Sequence, residues 1–224
     1  MFEKEKVVAI DGPAGSGKST IAKIVAKSLG FIYVDTGAMY RSIGYYLLSE
    51  KKITDEKEAL PFLKNLEIKY FGKEDNLISL AGVDYTFLIR TPEVAKHASL
   101  VSKWKSVRDY LLDFQRQFAQ KNFVVMEGRD IGSVIFPNAF AKIYLEASLE
   151  VRAKRRFEEL KISQPQMSYD DFLRDLSSRD EQDMNRSIAP LVQTQDAILF
   201  DTSSLTLEEV ASELIKIVKI NGFI

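Results

Sequence analysis

Cysteine is absent from the 224 residues, and His97 is the only histidine. The lack of cysteine excludes disulfides, thiolate nucleophiles and cysteine-bound metals, and a single histidine disfavours zinc sites and catalytic triads that depend on histidine. The sequence also lacks an apolar run of about 20 residues, the length that a membrane-spanning helix needs. Its N-terminal residues show no export signal with a cleavage site. We therefore expect a cytoplasmic protein with no membrane partner.

Neither positive nor negative charge is in marked excess, since the formal net charge is −1. This balance argues against a surface built for nucleic acid, so we expect no nucleic-acid partner. Apolar residues make up 46% and charged residues 28% of the chain, which is typical of a globular protein. The length lies near the upper limit for one hydrophobic core, which predicts one principal domain with a small insertion. A monomer is the default expectation.

Short apolar runs alternate with helical patterns along most of the chain. This order predicts an α/β fold, a five-stranded parallel sheet with helices on both faces and ligands at the carboxyl ends of the strands. The predicted strands are 7–10, 31–35, 123–127, 141–145 and 197–201. The predicted helices are 18–29, 37–48, 91–120 and a last helix that opens with the capping box Thr206 to Glu209.

Two segments depart from this alternation. Short apolar runs at 68–71, 77–80 and 84–87, with turns at 72–76 and 81–83 between them, predict a small antiparallel β insertion. Polar residues 157–168 connect two helical stretches and predict a mobile flap.

A glycine-rich motif follows the first predicted strand. It matches G-x-x-x-x-G-K-[S/T] and consists of Gly12, Pro13, Ala14, Gly15, Ser16, Gly17, Lys18 and Ser19, followed by Thr20. The glycines allow backbone N–H groups to turn toward phosphate oxygens at the positive end of a helix. Lys18 would contact the β- and γ-phosphates, and the Ser19 hydroxyl would bind Mg²⁺. The motif predicts a nucleotide-binding site.

Arginine is concentrated in residues 129–186, which hold seven of the chain's 11 arginines and only three of its 20 lysines. Its planar guanidinium binds phosphate oxygens in pairs and stays charged when desolvated. Two groups have the spacing of one helix face, Arg152, Arg155 and Arg156 before the flap, and Arg179, Asp183 and Arg186 after it. A solvated helix with Arg–Asp pairs is the alternative for any isolated residue. Two such faces beside one loop favour phosphate binding.

Two motifs of other phosphate-loop proteins do not occur in the sequence. They are the Asn-Lys-x-Asp motif of regulatory GTPases and the Leu-Ser-Gly-Gly-Gln signature of transport ATPases. Their absence favours a small phosphotransferase. The alternatives are a kinase of another small acceptor and a non-catalytic RNA-binding module that uses nucleotide as a switch. The net charge near zero counts against the RNA-binding module.

Several longer motifs occur in the order typical of one enzyme family. They are DGPAGSGKST (Asp11–Thr20), DTGAMYR (Asp35–Arg41), IRTPEVA (Ile89–Ala95), VR (Val107–Arg108), GRDIGSVIFP (Gly128–Pro137), KRR (Lys154–Arg156) and RDEQDMNRSIAPL (Arg179–Leu191). The chain therefore resembles bacterial cytidylate kinases, which belong to the adenylate-kinase-like nucleoside monophosphate kinases.

The resemblance implies a phosphate-loop NTPase fold with a helical lid, arranged as one domain over residues 1–224. The implied parts are a core (1–36, 98–150 and 188–224), an acceptor-binding region with the β insertion (37–97) and a lid (151–187). It also implies an ATP-dependent kinase that transfers the γ-phosphoryl group of Mg²⁺–ATP to CMP, and to dCMP, in pyrimidine nucleotide metabolism.

The resemblance also implies roles for individual residues. It assigns the acceptor's phosphate to Arg41, Arg129 and Arg186, and cytosine to Ser99, Arg108 and Asp130. It assigns the sugar to Arg179 and Asp183. It assigns the transferring phosphates of ATP to Arg152, Arg155 and Arg156, together with Lys18. The other expected substrate residues are Asp35, Thr36, Gly37 and Tyr40, with Asp35 orienting Arg41 or Mg²⁺-bound water. A carboxylate accepts a hydrogen bond from the amine of cytosine and repels the carbonyl of uracil, which gives Asp130 its role.

Overall fold

The computed structural model describes residues 5–73, 77–162 and 164–220. Residues 74–76 of the predicted turn and Ser163 of the predicted flap lie outside the described residues. The described strands are β1 (Glu5–Asp11), β2 (Ile32–Asp35), β3 (Ile68–Tyr70), β4 (Ile78–Leu80), β5 (Val83–Asp84), β6 (Val124–Gly128), β7 (Ala139–Glu146) and β8 (Ile198–Asp201). The described α-helices are α1 (Lys18–Leu29), α2 (Thr36–Gly44), α3 (Glu56–Lys64), α4 (Pro92–Val101), α5 (Lys105–Lys121), α6 (Leu149–Leu160), α7 (Tyr169–Asn185) and α8 (Leu207–Ile220).

The chain divides into two compact units, which we describe separately. The phosphate-loop unit comprises the residues up to 33 and those from 122 onward, and the inserted unit comprises residues 34–121. The inserted unit therefore contains the predicted acceptor-binding region, 37–97, and also residues 98–121.

The five-stranded parallel sheet predicted from the sequence is confirmed, with the order β2-β6-β1-β7-β8. Strand β1 pairs in parallel with β6 and with β7, and β7 pairs in parallel with β8. The runs that form the central strands are rich in β-branched and other apolar residues, and all five residues of β6 are buried. Such continuous apolar strands are typical of a parallel sheet that is covered on both faces.

Helices α1 and α8 pack against one face of this sheet. Their apolar residues, among them Ile21 and Leu214, form one buried cluster with sheet residues such as Val8 and Ile143. Helix α1 ends at Leu29, and the following Gly30, with a φ of +69°, caps it by donating its N–H to carbonyl oxygens of the last turn. The expected capping box opens α8, since Thr206 and Glu209 bond each other's backbone N–H groups.

The small antiparallel sheet predicted in the insertion is confirmed, with the order β3-β4-β5. The prediction that its last strand covers 84–87 is wrong, because β5 ends at Asp84. The Asp84 carboxylate accepts hydrogen bonds from the N–H and the hydroxyl of Thr86, at 2.8 and 2.6 Å. This local turn ends the strand, because it takes the place of the next pairs of the ladder.

Two predicted helices of the inserted unit are not single continuous α-helices. The helix predicted for 91–120 is interrupted at residues 102–104, where the Ser102 hydroxyl donates to the Ser99 carbonyl oxygen at 2.9 Å. The helix predicted for 37–48 becomes π-helical over Tyr45–Glu50. Just before that change, a Cβ atom at Gly44 would lie 2.9 Å from the His97 carbonyl carbon, so glycine permits α2 and α4 to cross closely.

Helices α6 and α7 lie before and after the segment predicted to be the flap. The flap was predicted from residue 157, but α6 continues to Leu160, so the described connection comprises residues 161, 162 and 164–168. Ile162 in this connection is 88% exposed. Every helix in the described part of the chain is too short or too polar to span a lipid bilayer.

Substitution of Leu214 tests the packing of α8. Leu214→Ala should lower the free energy of unfolding by about 2–5 kcal/mol, because it removes a fully buried side chain from the cluster shared with the sheet. Urea unfolding followed by circular dichroism measures the change. Ile162→Ala is the matched control and should change stability by less than about 0.5 kcal/mol. Equal effects of the two substitutions would contradict this description of the core.

Candidate active site

The glycine-rich motif forms the loop between β1 and α1, at the carboxyl end of a central strand. Gly12 has a φ of +149°, and a Cβ atom there would overlap the carbonyl oxygen of Leu145. Gly15 and Gly17 have φ values of +76° and +90°. Only glycine adopts these conformations at low cost, so the residues of the motif allow this loop shape. The loop leads into the N-terminus of α1, where backbone N–H groups attract anions.

Lys18 lies buried inside this loop. Its ammonium group donates to the Pro13 carbonyl oxygen at 2.6 Å and to the Ser16 hydroxyl at 3.3 Å. Burial lowers the pKa of Lys18 to about 7, and the nearby positive charge of Arg129 acts in the same direction. The carboxylates of Glu127 and Asp11 oppose the shift. An anion that binds beside Lys18 would therefore favour the charged form of this lysine and raise its pKa.

The residues around the loop are compatible with a magnesium ion carried by a nucleotide. Ser19, at the start of α1, is exposed, so its hydroxyl is accessible. Glu127 is buried at the end of β6, and its carboxylate accepts a hydrogen bond from the Tyr33 hydroxyl at 2.5 Å. Within the described ranges, no cluster of three or more metal-ligating side chains is present. A Mg²⁺ ion held mainly by phosphates and water needs only one or two protein ligands.

Asp11 connects the end of β1 to the segment that follows β6. Its carboxylate accepts hydrogen bonds from the backbone N–H groups of Ile131 and Gly132, at 2.9 and 2.7 Å. Burial raises the pKa of Asp11 to about 6, although these two hydrogen bonds act in the opposite direction. The contacts hold the backbone directly after Arg129 and Asp130.

Arg129 and Asp130 each pair with a residue near the end of α7. Arg129 donates to Asp183 at 2.8 Å, and Arg186 donates to Asp130 at 3.1 Å. Burial disfavours the charge of Arg129, but Asp183 outweighs this effect and raises its pKa. Side chains of Arg186 and Asp130 are only 7% and 6% exposed. Two arginines are therefore oriented by carboxylates at this edge of the sheet.

The prediction that Arg186 shares a helix face with Arg179 and Asp183 is wrong. Helix α7 ends at Asn185, and Arg186 follows it in an extended conformation with a ψ of 142°. Its guanidinium group donates to the carbonyl oxygen of Ala189, three residues further along the chain, at 2.5 Å. Arg179 remains within the helix and lies 3.5 Å from Asp175.

The prediction that three arginines of α6 form one cationic face is also wrong. Arg152 is buried and pairs with Asp180 at 2.5 Å. Arg155 donates to the hydroxyl and the carbonyl oxygen of Thr202. Arg156 is 40% exposed and pairs with Glu159 on the helix surface. All three arginines lie on α6, as their spacing predicts, but each has a different partner.

In the inserted unit, Asp35 caps α2 and pairs with Arg41. One carboxylate oxygen accepts from the Ala38 N–H at 2.8 Å, and the other accepts from Arg41 at 2.9 Å. The backbone N–H of Asp35 donates to the Tyr70 hydroxyl on β3 at 2.8 Å. The β insertion thus supports the residue that orients Arg41.

The residues beside this pair leave little free space. Thr36, the first residue of α2, is buried. A Cβ atom at Gly37 would lie 2.9 Å from the Arg41 guanidinium group, so glycine leaves room for that side chain.

Two further predicted substrate residues, Tyr40 and Arg108, also lie near each other in the inserted unit. The Arg108 guanidinium group lies 5.8 Å from the centre of the Tyr40 ring and donates to the Ser102 carbonyl oxygen at 3.2 Å. Ser99 lies on α4, and its carbonyl oxygen accepts from the Ser102 hydroxyl. The loop after α4 therefore connects Ser99 with Arg108.

Four residues that contact predicted site residues or their chain neighbours within their own unit have no signal of their own in the sequence. Asp11 and Asp180 lie inside motifs that the sequence contains, but no spacing rule gives a carboxylate a backbone partner more than 100 residues away. Tyr70 and Thr202 lie in ordinary strand and loop positions. No signal in the sequence alone identifies Tyr70 or Thr202.

Comparison with known proteins identifies the family. The family model described as cytidylate kinase matches residues 8–220. The cytidylate kinase of Thermodesulfovibrio yellowstonii is 46% identical over 218 residues, which cover 95% of this chain and 97% of that protein. The cytidylate kinase of Fervidobacterium nodosum is 47% identical, with 95% of each chain covered.

A solved structure shows the same fold at much lower identity. An uncharacterised protein from Eubacterium ventriosum is 15% identical, has a TM-score of 0.51 and covers 97% of this chain and 99% of its own. The near-complete match to the family model and to relatives above 40% identity decides the assignment. The chain belongs to the cytidylate kinase family and is a kinase, an enzyme that transfers phosphoryl groups.

Proposed function

We propose that this enzyme transfers the γ-phosphoryl group of Mg²⁺–ATP to CMP, and also to dCMP, in pyrimidine nucleotide metabolism. The products are ADP and CDP or dCDP. The observation that carries the proposal is the pair of arginines, Arg129 and Arg186, oriented at the same sheet edge as Lys18. We expect the enzyme to act as a monomer, without nucleic-acid or membrane partners.

The donor triphosphate is proposed to bind along the loop from Gly12 to Thr20. Its β- and γ-phosphates would take the place of the Pro13 carbonyl oxygen as partners of the Lys18 ammonium group. Ser19 would contact the Mg²⁺ that arrives with ATP. The N-terminus of α1 adds the attraction of its backbone N–H groups.

From the family resemblance, the acceptor's phosphate is proposed to bind Arg41, Arg129 and Arg186. In the structure, each of these guanidinium groups contacts a carboxylate, Asp35, Asp183 or Asp130 respectively. A phosphate dianion carries more charge than a carboxylate and accepts bidentate hydrogen bonds from arginine. Binding would therefore exchange or share these partners.

Recognition of the base and sugar is proposed from the family resemblance. Asp130 would accept from the cytosine amine, and Ser99 and Arg108 would bind other polar atoms of the base. Arg179 and Asp183 would hold the sugar. Thr36, Gly37 and Tyr40 would line the acceptor's binding region.

The chemical step is an in-line transfer between two nucleotides. An anionic phosphate oxygen of CMP forms the new O–P bond as the bond between the γ-phosphorus and the β,γ-bridging oxygen breaks, so ADP leaves with that electron pair. The attacking oxygen already carries negative charge at neutral pH, so no protein base is needed. Catalysis then consists of positioning and charge neutralisation, for which Lys18, Arg129 and Arg186 are proposed.

The arginines of α6 are proposed to act either by direct contact with the ATP phosphates or by holding other residues of the phosphate loop. The side chain of Arg156 is 40% exposed and would close over the ATP phosphates if the end of the lid moves. Arg155 already bonds Thr202, whose hydroxyl donates to the carbonyl oxygen of Ser16 in the loop. Arg152 is buried beneath the loop, so its contribution comes through the residues that it holds.

An acceptor panel tests the reaction. ADP production from Mg²⁺–ATP should be fast with CMP, measurable with dCMP and weak with UMP, AMP, GMP and dTMP. A coupled assay with each acceptor, and one without acceptor, measures this. Turnover with a different monophosphate would reject the assignment of cytosine recognition. ADP formation that does not depend on an acceptor would instead indicate an ATPase or a nucleotide-dependent switch.

Asp130→Asn tests recognition of the base. The amide can donate to the carbonyl of uracil as well as accept from cytosine, so the preference for CMP over UMP in kcat/KM should fall about 10- to 100-fold. The KM for ATP should stay within about twofold of wild type. Asp170→Asn, an exposed carboxylate on α7, is the control and should leave the preference unchanged. An unaltered preference in Asp130→Asn would refute this role.

Proton uptake tests the state of Lys18. Because its pKa is about 7 in the free protein and a bound triphosphate favours the charged form, ATP binding should take up protons increasingly as the pH rises above 7. Uptake should approach about 0.9 proton at pH 8 and about 0.1 at pH 6. Calorimetry in buffers of different ionisation enthalpy measures it. In Lys18→Arg, where the charge is permanent, uptake at pH 8 should disappear; uptake equal to wild type would exclude Lys18 as its source.

A further inference from the structure

Ala14, in the middle of the phosphate loop, is held by α6 and α7 through all of its polar atoms. Its N–H donates to the Asp180 carboxylate at 3.3 Å, and its carbonyl oxygen accepts from the Arg152 guanidinium group at 3.0 Å. Its methyl group lies in a small apolar cluster with Ala153 of α6 and Leu176 of α7. The position of this residue therefore depends on two helices that lie far away in the sequence.

The two charged residues that hold Ala14 are themselves buried. Arg152 and Asp180 are each 7% exposed at the side chain and form an ion pair of 2.5 Å. Arg152 also donates through Nε to the Ala147 carbonyl oxygen at 2.9 Å. Buried charges lose their hydration and require well-placed partners. This pair differs from the exposed pairs elsewhere on α6 and α7, such as that of Arg174 with Asp171.

The hydrogen bond to Asp180 sets the direction of the peptide group that binds Lys18. No peptide bond in the described part of the chain is cis, so the N–H of Ala14 and the carbonyl of Pro13 point in opposite directions. The N–H points to Asp180, and on the other side the Pro13 oxygen accepts from the Lys18 ammonium group at 2.6 Å. One peptide plane thus connects Asp180 with Lys18.

The hydrogen bond from Arg152 sets the direction of the next peptide group in the same way. The Ala14 carbonyl points to Arg152, so the N–H of Gly15 points away from it. Gly15 has a φ of +76°, and a Cβ atom there would lie 3.3 Å from the Cβ atom of Arg152. The loop therefore packs directly on α6, without an intervening side chain.

Helix α7 carries both Asp180 and Asp183, three residues apart. Asp180 binds the phosphate loop, and Asp183 binds Arg129. Neighbouring turns of one helix thus contact two parts of the candidate site.

We propose that Asp180, held in place by Arg152, is a positioning residue for the phosphate donor. It orients the peptide groups on either side of Ala14 and, through them, the Lys18 ammonium group and the Gly15 N–H that receive the triphosphate. The proposal rests on the proposed role of the loop in binding Mg²⁺–ATP, and it does not depend on which acceptor is used.

Three variants separate positioning from support of the fold. Asp180→Asn removes the charge that pairs with Arg152. The double variant Arg152→Met with Asp180→Leu replaces the whole pair by apolar groups of similar size, a change that can preserve stability. Glu181→Gln makes the same carboxylate-to-amide change at the adjacent, exposed residue of α7 and serves as the control.

Mg²⁺–ATP binding is measured by calorimetry without acceptor, and stability is measured by thermal unfolding. Asp180→Asn should weaken binding at least about tenfold, because the amide has one acceptor oxygen and cannot accept from both Ala14 and Arg152, so the loop is held less firmly in its binding conformation. The double variant should unfold close to the wild-type temperature and still bind Mg²⁺–ATP at least about tenfold more weakly. Glu181→Gln should match wild type in both measurements. In steady-state assays, Asp180→Asn should raise the KM for ATP, while the KM for CMP stays within about twofold of wild type.

Wild-type affinity for Mg²⁺–ATP in either Asp180→Asn or the double variant would overturn the proposal. Equal increases in the KM values of both substrates would also overturn it, because they indicate general loss of structure. A wild-type protein that binds Mg²⁺–ATP but does not phosphorylate CMP would reject the proposed acceptor and leave this comparison of variants intact.

Discussion

Positive charge held out of water is the constraint on which the phosphate-loop unit depends. Lys18 and Arg152 are buried there, and Arg129 and Arg186 are largely shielded. A guanidinium or ammonium group in such surroundings needs an anion close by, whether or not a phosphate is bound. The chain provides these anions from distant segments. The candidate site therefore forms only when the phosphate-loop unit folds.

The carboxylates that neutralise these cations differ in how readily a phosphate can replace them. Asp180 is buried against Arg152 and also binds the backbone of Ala14, so this pair belongs to the architecture of the loop. Asp183 is 22% exposed and contacts Arg129 from the end of a helix. We infer that the Arg152–Asp180 ion pair persists when substrate binds, whereas a phosphate can replace Asp183 as the partner of Arg129. A dianionic phosphate competes well with a single, partly solvated carboxylate.

Helical periodicity explains both the success and the failure of the sequence-based interpretation of the arginines. It correctly predicted helices around Arg152 and Arg179, because periodicity reflects local backbone geometry. It also predicted that Arg152, Arg155 and Arg156 form one cationic face of a helix. Their surroundings differ because a helix that packs on one side buries some positions and exposes others only a turn away. The partners that make this difference, such as Thr202 and Asp180, come from other parts of the chain.

The sequence by itself determined the parallel sheet, the β insertion, the phosphate loop and the family, because these depend on short-range patterns and on motifs with fixed spacing. Only the tertiary structure decided which charges meet. Asp11 reaches the N–H groups of Ile131 and Gly132, and Asp180 reaches Ala14, across separations of 120 residues or more. Such contacts follow from how helices and strands pack in three dimensions, and no local spacing in the chain encodes them.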